Sequence, residues 1–166
     1  MKSQILFIQG GASGAYDEDA RLASSLQRAL GDDYQVIYPR MPNEADPAYD
    51  AYRAAIAAAL ASLAGPVFLV GHSLGGFFLM RLLAESPPAA SIAGIHLIAT
   101  PYVGPGGWQD AQYALPEDLA ARLPQAVPLY LYQSPDDETV PFAHLALYAR
   151  RLPDAIIRET AGGHQL

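Results

Sequence analysis

Three features of this chain have residue types and an order that could carry out nucleophilic chemistry: Ser73, the carboxylates of Asp136-Asp137-Glu138, and His164. A serine hydroxyl attacks a carbonyl effectively only when a neighbouring imidazole takes its proton, and that imidazole needs a carboxylate to fix its tautomer and stabilise its charge. Ser73 lies in Gly71-His72-Ser73-Leu74-Gly75, a G-x-S-x-G sequence. The pattern carries chemistry only where a strand runs into a sharp turn and a helix leaves it, so the flanking elements decide its meaning.

Those elements have the required character. Pro66-Val67-Phe68-Leu69-Val70 is a short apolar run that reads as a fully buried strand of a parallel sheet. After Ser73, Leu79, Leu82 and Leu83 recur at helical spacing until Pro87-Pro88 stop the pattern. Side chains two residues before and after the serine would collide where strand and helix approach, and hydrogen at Gly71 and Gly75 avoids this. The turn is expected to expose the Ser73 hydroxyl above the sheet, near backbone N–H groups at a helix N-terminus that can receive negative charge.

The rest of the chain alternates in the same way. Strands are expected at Ile5 to Gln9, Tyr34 to Tyr38, Ile92 to Ala99, Val127 to Gln133 and Ala155 to Thr160, besides the one before Ser73. Helices are expected from about Glu18 to Leu30, Pro47 to Leu63 and Phe142 to Arg151, with a short one from Glu117 to Leu123 inside an irregular stretch from Thr100 to Ala126. This implies an α/β fold of one domain over residues 1–166, a three-layer α/β/α sandwich around a mostly parallel six-stranded sheet. Ligands of such sheets bind beyond the carboxyl ends of the strands. The acidic cluster follows the fifth strand and Gly162-Gly163-His164 follows the sixth, so serine, carboxylate and histidine come in the chain order of one particular triad-bearing fold.

On these residues the chain resembles the α/β-hydrolases, in particular the small serine hydrolases that have no cap domain, over nearly its whole length. Asp137-Glu138-Thr139-Val140-Pro141 fits the family's Asp-x-x-Val-Pro spacing, so the resemblance selects Asp137 over Asp136 as the partner of His164. It also implies an oxyanion hole made by the backbone N–H of Leu74 and one from the loop after the first strand, with Gly11 as the expected donor and Gly10 and Ala12 as alternatives. Gln9-Gly10-Gly11 stands where the commoner family pattern begins His-Gly. The family's two antiparallel edge strands have no counterpart before Ile5, and the helix expected after the histidine has none after Leu166. The implied activity is cleavage of a carboxylic ester or related acyl compound, a small-molecule substrate, with no cofactor and no metal. Alternatives are a non-catalytic binding protein that keeps the fold, and acyl transfer to an acceptor other than water. Tyr16, Met41, Phe77, Tyr102 and Trp108 are candidates to line an acyl pocket, against the competing reading of aromatic and sulfur side chains as core.

Composition sets the outer bounds. Of 166 residues 51% are apolar and 16% charged, which suits a globular domain. The net charge is −7 and the ten basic residues are scattered, apart from Arg150-Arg151, which argues against a nucleic-acid stripe or an anionic-membrane surface. There is no cysteine, so disulfides and cysteine metal sites are excluded. The apolar stretch at Ile5 to Ile8 is too short for a signal peptide and no segment is long enough to span a membrane, giving a cytoplasmic expectation. Gly11 and Gly14 fit part of a dinucleotide-binding glycine pattern, but Gln9 occupies its first position and no acidic residue ends the second strand. No H-E-x-x-H metal spacing occurs. His96 within a strand and His144 within a helix read as structural, and His72 as a packed residue of the turn that points away from Ser73.

Overall fold

In the computed structural model, which describes residues 2–110 and 113–166, the apolar runs form one six-stranded sheet in the order β2-β1-β3-β4-β5-β6. The strands are β1 (Ser3–Ile8), β2 (Tyr34–Ile37), β3 (Val67–His72), β4 (Ile92–Ile98), β5 (Leu129–Gln133) and β6 (Ile156–Glu159). Every pairing is parallel. The helices are α1 (Ala15–Leu30), α2 (Tyr49–Ala61), α3 (Ser73–Glu85), the four-residue α4 (Leu119–Arg122) and α5 (Ala143–Arg151). Two residues of the irregular stretch between β4 and β5, Ala111 and Gln112, lie outside the described residues, as does Met1.

Alternation along the strands sends side chains to two unequal layers. Leu6, Ile8, Leu69, Leu97 and Leu131 face a large core shared with Tyr52 and Ile56 of α2, Phe78 and Leu79 of α3, and Tyr148 of α5. Ile5, Phe7 and Val70 face the other side, where α1 packs Leu22, Leu26 and Leu30 against them. Because α1 alone covers that side, a groove of about 430 Å³ remains beside it, floored by Phe68, Val70, His96 and Ile98.

α1 starts three residues before its expected position. Gly14 takes a left-handed conformation (φ 86°), which turns the chain into the helix at Ala15, and the Tyr16 amide donates to Glu44 Oε2 at 2.7 Å. Glu44, brought from the loop after β2, thus acts as a cap from outside the helix, and that hydrogen bond holds its carboxyl below the ordinary range. No local rule starting from Asp17 or Glu18 could have supplied it.

His96 and His144 are structural, as read from their positions. His144 is buried and its Nδ1 accepts the Tyr102 amide at 2.9 Å, which requires a neutral ring. His96 stacks on Tyr130 with ring centroids 4.7 Å apart. Burial lowers the pKa of both imidazoles, at His144 against the raising effect of Asp137. A histidine whose folded pKa lies below its unfolded value stabilises the fold above that value and loses the contribution as pH falls. The contribution of these two rings to stability is therefore expected to fall as pH is lowered from about 7.5 to about 5.5, across the ordinary histidine pKa of about 6.5. His144→Gln, which keeps an acceptor for Tyr102, should lose less of its thermal midpoint than the wild type over that range; a difference in midpoint between the two proteins that does not change with pH would refute the account.

Candidate active site

The chain passes from β1 outward to β2 and then returns to place β3 on the other side of β1, so the strand order reverses between β1 and β3. Crevices at such reversals are where ligands bind in open α/β sheets. Ile8 pairs with Gly71, which sets Gln9-Gly10-Gly11 beside His72-Ser73. Ile98 pairs with both His72 and Tyr132, and Gln133 with Glu159, so the segments carrying Asp137 and His164 leave from the same end of the sheet.

Ser73 ends the turn between β3 and α3 with φ 50°, a left-handed conformation that costs a non-glycine residue about 1–3 kcal/mol. Three glycines make that turn feasible. A Cβ on Gly71 would lie 2.5 Å from Gly76 Cα, one on Gly76 would lie 2.3 Å from Thr100 Oγ1, and one on Gly75 would lie 1.9 Å from the Gln9 carbonyl oxygen. Gly71 therefore answers to the closeness of strand and helix, as expected, whereas Gly75 answers to the carboxyl end of β1. Gly76 was not anticipated, although the Gly-Gly doublet was its visible signal.

The glycine loop is held through its first two peptides. Gln9 is fully buried; its Oε1 accepts the Met41 amide at 2.9 Å and its Nε2 donates to Glu44 at 2.8 Å. The Tyr52 hydroxyl donates to the Gly10 carbonyl at 2.9 Å, and the Gly10 amide donates to Asp19 Oδ2 at 2.7 Å. The Gly10 N–H is thus occupied within the protein, which removes it as an oxyanion donor. Since a trans peptide points its C=O and N–H in opposite directions, Tyr52 turns the Gly11 N–H away from itself. That amide has no protein acceptor among the described residues. A Cβ on Gly11 would lie 2.8 Å from Leu74 Cδ2, so Gly11 and Leu74 adjoin, and Leu74 sits in the first turn of α3, where amides have no acceptor in the helix.

On the opposite side His164 Nδ1 lies 2.9 Å from Asp137 Oδ2 and 3.0 Å from Oδ1. Asp136 is exposed and makes no such contact. The Asp137 side chain is fully buried, yet its oxygens also accept the Thr139 and Val140 amides, both at 2.8 Å, and Gln133 Nε2 at 2.7 Å. Burial pushes this carboxyl up; the His164 hydrogen bond and the two amides outweigh it and hold the group below the ordinary range. A carboxylate facing Nδ1 makes that nitrogen the donor, so in the neutral ring Nε2 of His164 is the acceptor. Gly162 (φ 117°) and Gly163 (φ 77°) both take left-handed conformations to carry His164 back towards the sheet.

His72 does not simply pack beside the turn. Its Nδ1 lies 2.9 Å from Asp19 Oδ2, and its Nε2 lies 2.9 Å from the backbone carbonyl oxygen of His164. The two imidazoles have centroids 4.8 Å apart. His164 is therefore joined to the residue immediately before Ser73.

The five pocket candidates divide. Met41, Phe77 and Tyr102 are buried members of the large core, Phe77 with no exposed surface at all and the other two with 2% and 4%. The pocket reading of these three is corrected, and the core reading holds. Tyr16 stacks on Tyr38 beneath Arg40, and Trp108 is exposed with its edge against His144.

The profile of the alpha/beta hydrolase family matches residues 5–164, almost the entire chain. The chain belongs to that family. Solved structures of similar fold include the lipolytic enzymes LipS and LipT of metagenomic origin (18% identity, TM-score 0.71, 99% of this chain and 86% of that one). Others are the ydeN gene product of B. subtilis (22%, 0.65, 99% and 89%) and the esterase domain of a Rhodothermus marinus protein (18%, 0.66, 99% and 79%). At these identities the likeness concerns the fold. No curated protein matches the chain. As an alpha/beta hydrolase it is a small one: between β4 and β5 the described residues contain a single four-residue helix and no separate cap. Among the described residues no helix is long and apolar enough to cross a membrane, and no group of three metal-ligating side chains is assembled.

Proposed function

We propose that this alpha/beta hydrolase is a serine hydrolase that cleaves a carboxylic ester or related acyl bond through an acyl-enzyme. The observation that carries the proposal is the Asp137–His164 pair, formed beyond the strand ends at which the strained Ser73 is presented. Ser73 Oγ attacks the substrate carbonyl carbon while His164 Nε2 takes the hydroxyl proton, and Asp137 stabilises the imidazolium that results. The carbonyl oxygen becomes an oxyanion that accepts from the amides of Gly11 and Leu74, an arrangement in which each donor contributes about 3–4 kcal/mol to lowering the barrier. The tetrahedral species collapses, the alkoxide leaves with the proton from His164, and the acyl group stays on Ser73. Water then attacks with His164 again as base, and the acid departs. The neighbours described as lipolytic enzymes and as an esterase domain fit this substrate class.

The test is turnover of a short-chain aryl ester together with labelling by a fluorophosphonate. The expected result is ester hydrolysis and a single phosphonyl adduct whose peptide mass maps to Ser73. Folded protein that neither hydrolyses the ester nor forms the adduct would overturn the proposal.

A further inference from the structure

We infer that Asp19 and His72 are a positioning pair that holds the base of the proposed triad by its own backbone, an inference that rests on the reading of His164 as that base. A carbonyl oxygen only accepts, so the 2.9 Å contact between His72 Nε2 and the His164 carbonyl requires a proton on Nε2. The other nitrogen faces Asp19 Oδ2 at 2.9 Å. That carboxyl has only donors around it: Gly10 N–H at 2.7 Å on Oδ2 and Gln165 Nε2 at 3.2 Å on Oδ1, besides His72. Burial raises the pKa of Asp19, but the bonds and charge of His72 with the Gly10 amide outweigh it and leave the group below its ordinary value. His72 thus bridges Asp19 and the His164 carbonyl through its two ring nitrogens, with both side chains of the Asp19–His72 pair 1% exposed.

One carboxylate therefore ties together the glycine loop through Gly10, the turn through His72, and the final segment through His72 and Gln165. These are the segments that carry the proposed oxyanion donor, the nucleophile and the base. Asp137 sets the tautomer of His164 from the ring side, whereas Asp19 and His72 set where its backbone sits. Neither needs to touch substrate.

Asp19→Asn is the informative variant. The position of Oδ2 receives two N–H groups, from Gly10 and from His72. An amide nitrogen there opposes the Gly10 N–H. An amide oxygen there accepts from Gly10, but a ring with one proton cannot donate both to it and to the His164 carbonyl, so one of the bonds is lost whichever way the amide turns. For Asp19→Asn and for His72→Ala we expect kcat on the aryl ester to fall about 10- to 100-fold with KM within about twofold, the size of effect that small misplacement of a catalytic group produces. The double variant should be no worse than the poorer single one, because the pair acts as a unit. Independently of activity, amide hydrogen exchange over residues 163–166 should accelerate in both variants, and nitrogen NMR of the wild type should show a proton on His72 Nε2. Unchanged kcat and unchanged exchange in a folded variant would overturn the inference, as would a lone pair on His72 Nε2 in the wild type, a measurement that stands if the variants fail to fold. A wild type without ester turnover or a Ser73 adduct would sink the hydrolase reading, while the exchange and NMR results would still decide whether this pair anchors the His164 backbone.

Discussion

Asp137→Asn should lower kcat on an aryl ester by about 10³- to 10⁴-fold while the protein stays folded. The reason lies in the donors that already surround the carboxylate. Oδ1 accepts the Thr139 and Val140 amides, so an asparagine would keep its oxygen there and put its NH₂ where Oδ2 was. That NH₂ would meet Gln133 Nε2, which cannot simply turn over because it also donates to the Val140 carbonyl at 3.1 Å. It would also meet His164 Nδ1, which must then become an acceptor. The imidazole proton moves to Nε2, and the nitrogen that should take the Ser73 proton already carries one. Steady-state kinetics with a circular-dichroism check of folding measures this; a kcat within a few-fold of wild type would remove Asp137 from the mechanism.

Gly75→Ala is expected to cost the fold itself. The added Cβ would sit 1.9 Å from the Gln9 carbonyl oxygen, 2.7 Å from its carbon and 3.0 Å from Ile8 Cγ2. Two of these are backbone atoms at the end of a strand that is buried on both faces, so no side chain can swing aside. Relief requires the first turn of α3 and the end of β1 to separate by more than an ångström, and overpacking of this kind costs about 3 kcal/mol or more. For a chain of this length that corresponds to a fall of about 10 °C in the melting temperature. Gly65→Ala is the control: nothing lies within 4 Å of its Cβ and only its positive φ of 80° opposes the change. Thermal melts of the two variants should differ accordingly, and a Gly75→Ala midpoint no lower than that of Gly65→Ala would contradict the packing argument.

What could be read in advance followed from local pattern joined to one rule of topology. Short apolar runs and their punctuation located all six strands, and the rule that ligands sit beyond strand carboxyl ends picked out Ser73, the acidic cluster and His164. The choice of Asp137 came from family spacing, and the fold places that residue on His164. Asp19 was invisible because it stands beside Asp17 and Glu18 near the start of an amphipathic helix, where carboxylates ordinarily favour the helix dipole from the solvent side. Only closure of the fold tells the one buried acid from its exposed neighbours. The role of His72 was hidden for the same reason, since its partners lie 53 and 92 residues away in the chain. Burial at Met41, Phe77 and Tyr102 depends on which face of its element each side chain occupies, and a lone aromatic or methionine does not announce that.

The bonds of Asp19 also differ widely in their reach along the chain. Its link to Gly10 spans 9 residues, that to His72 spans 53 and that to Gln165 spans 146. Closing the longest of these loops from an open chain would cost about 2.5 kcal/mol more than closing the shortest. The pairing of β6 with β5 brings the ends together beforehand, which lets the last bond form at little entropic cost. The proposed base therefore depends on contacts from the far end of the chain, whereas Asp19 and His72 meet within its first half.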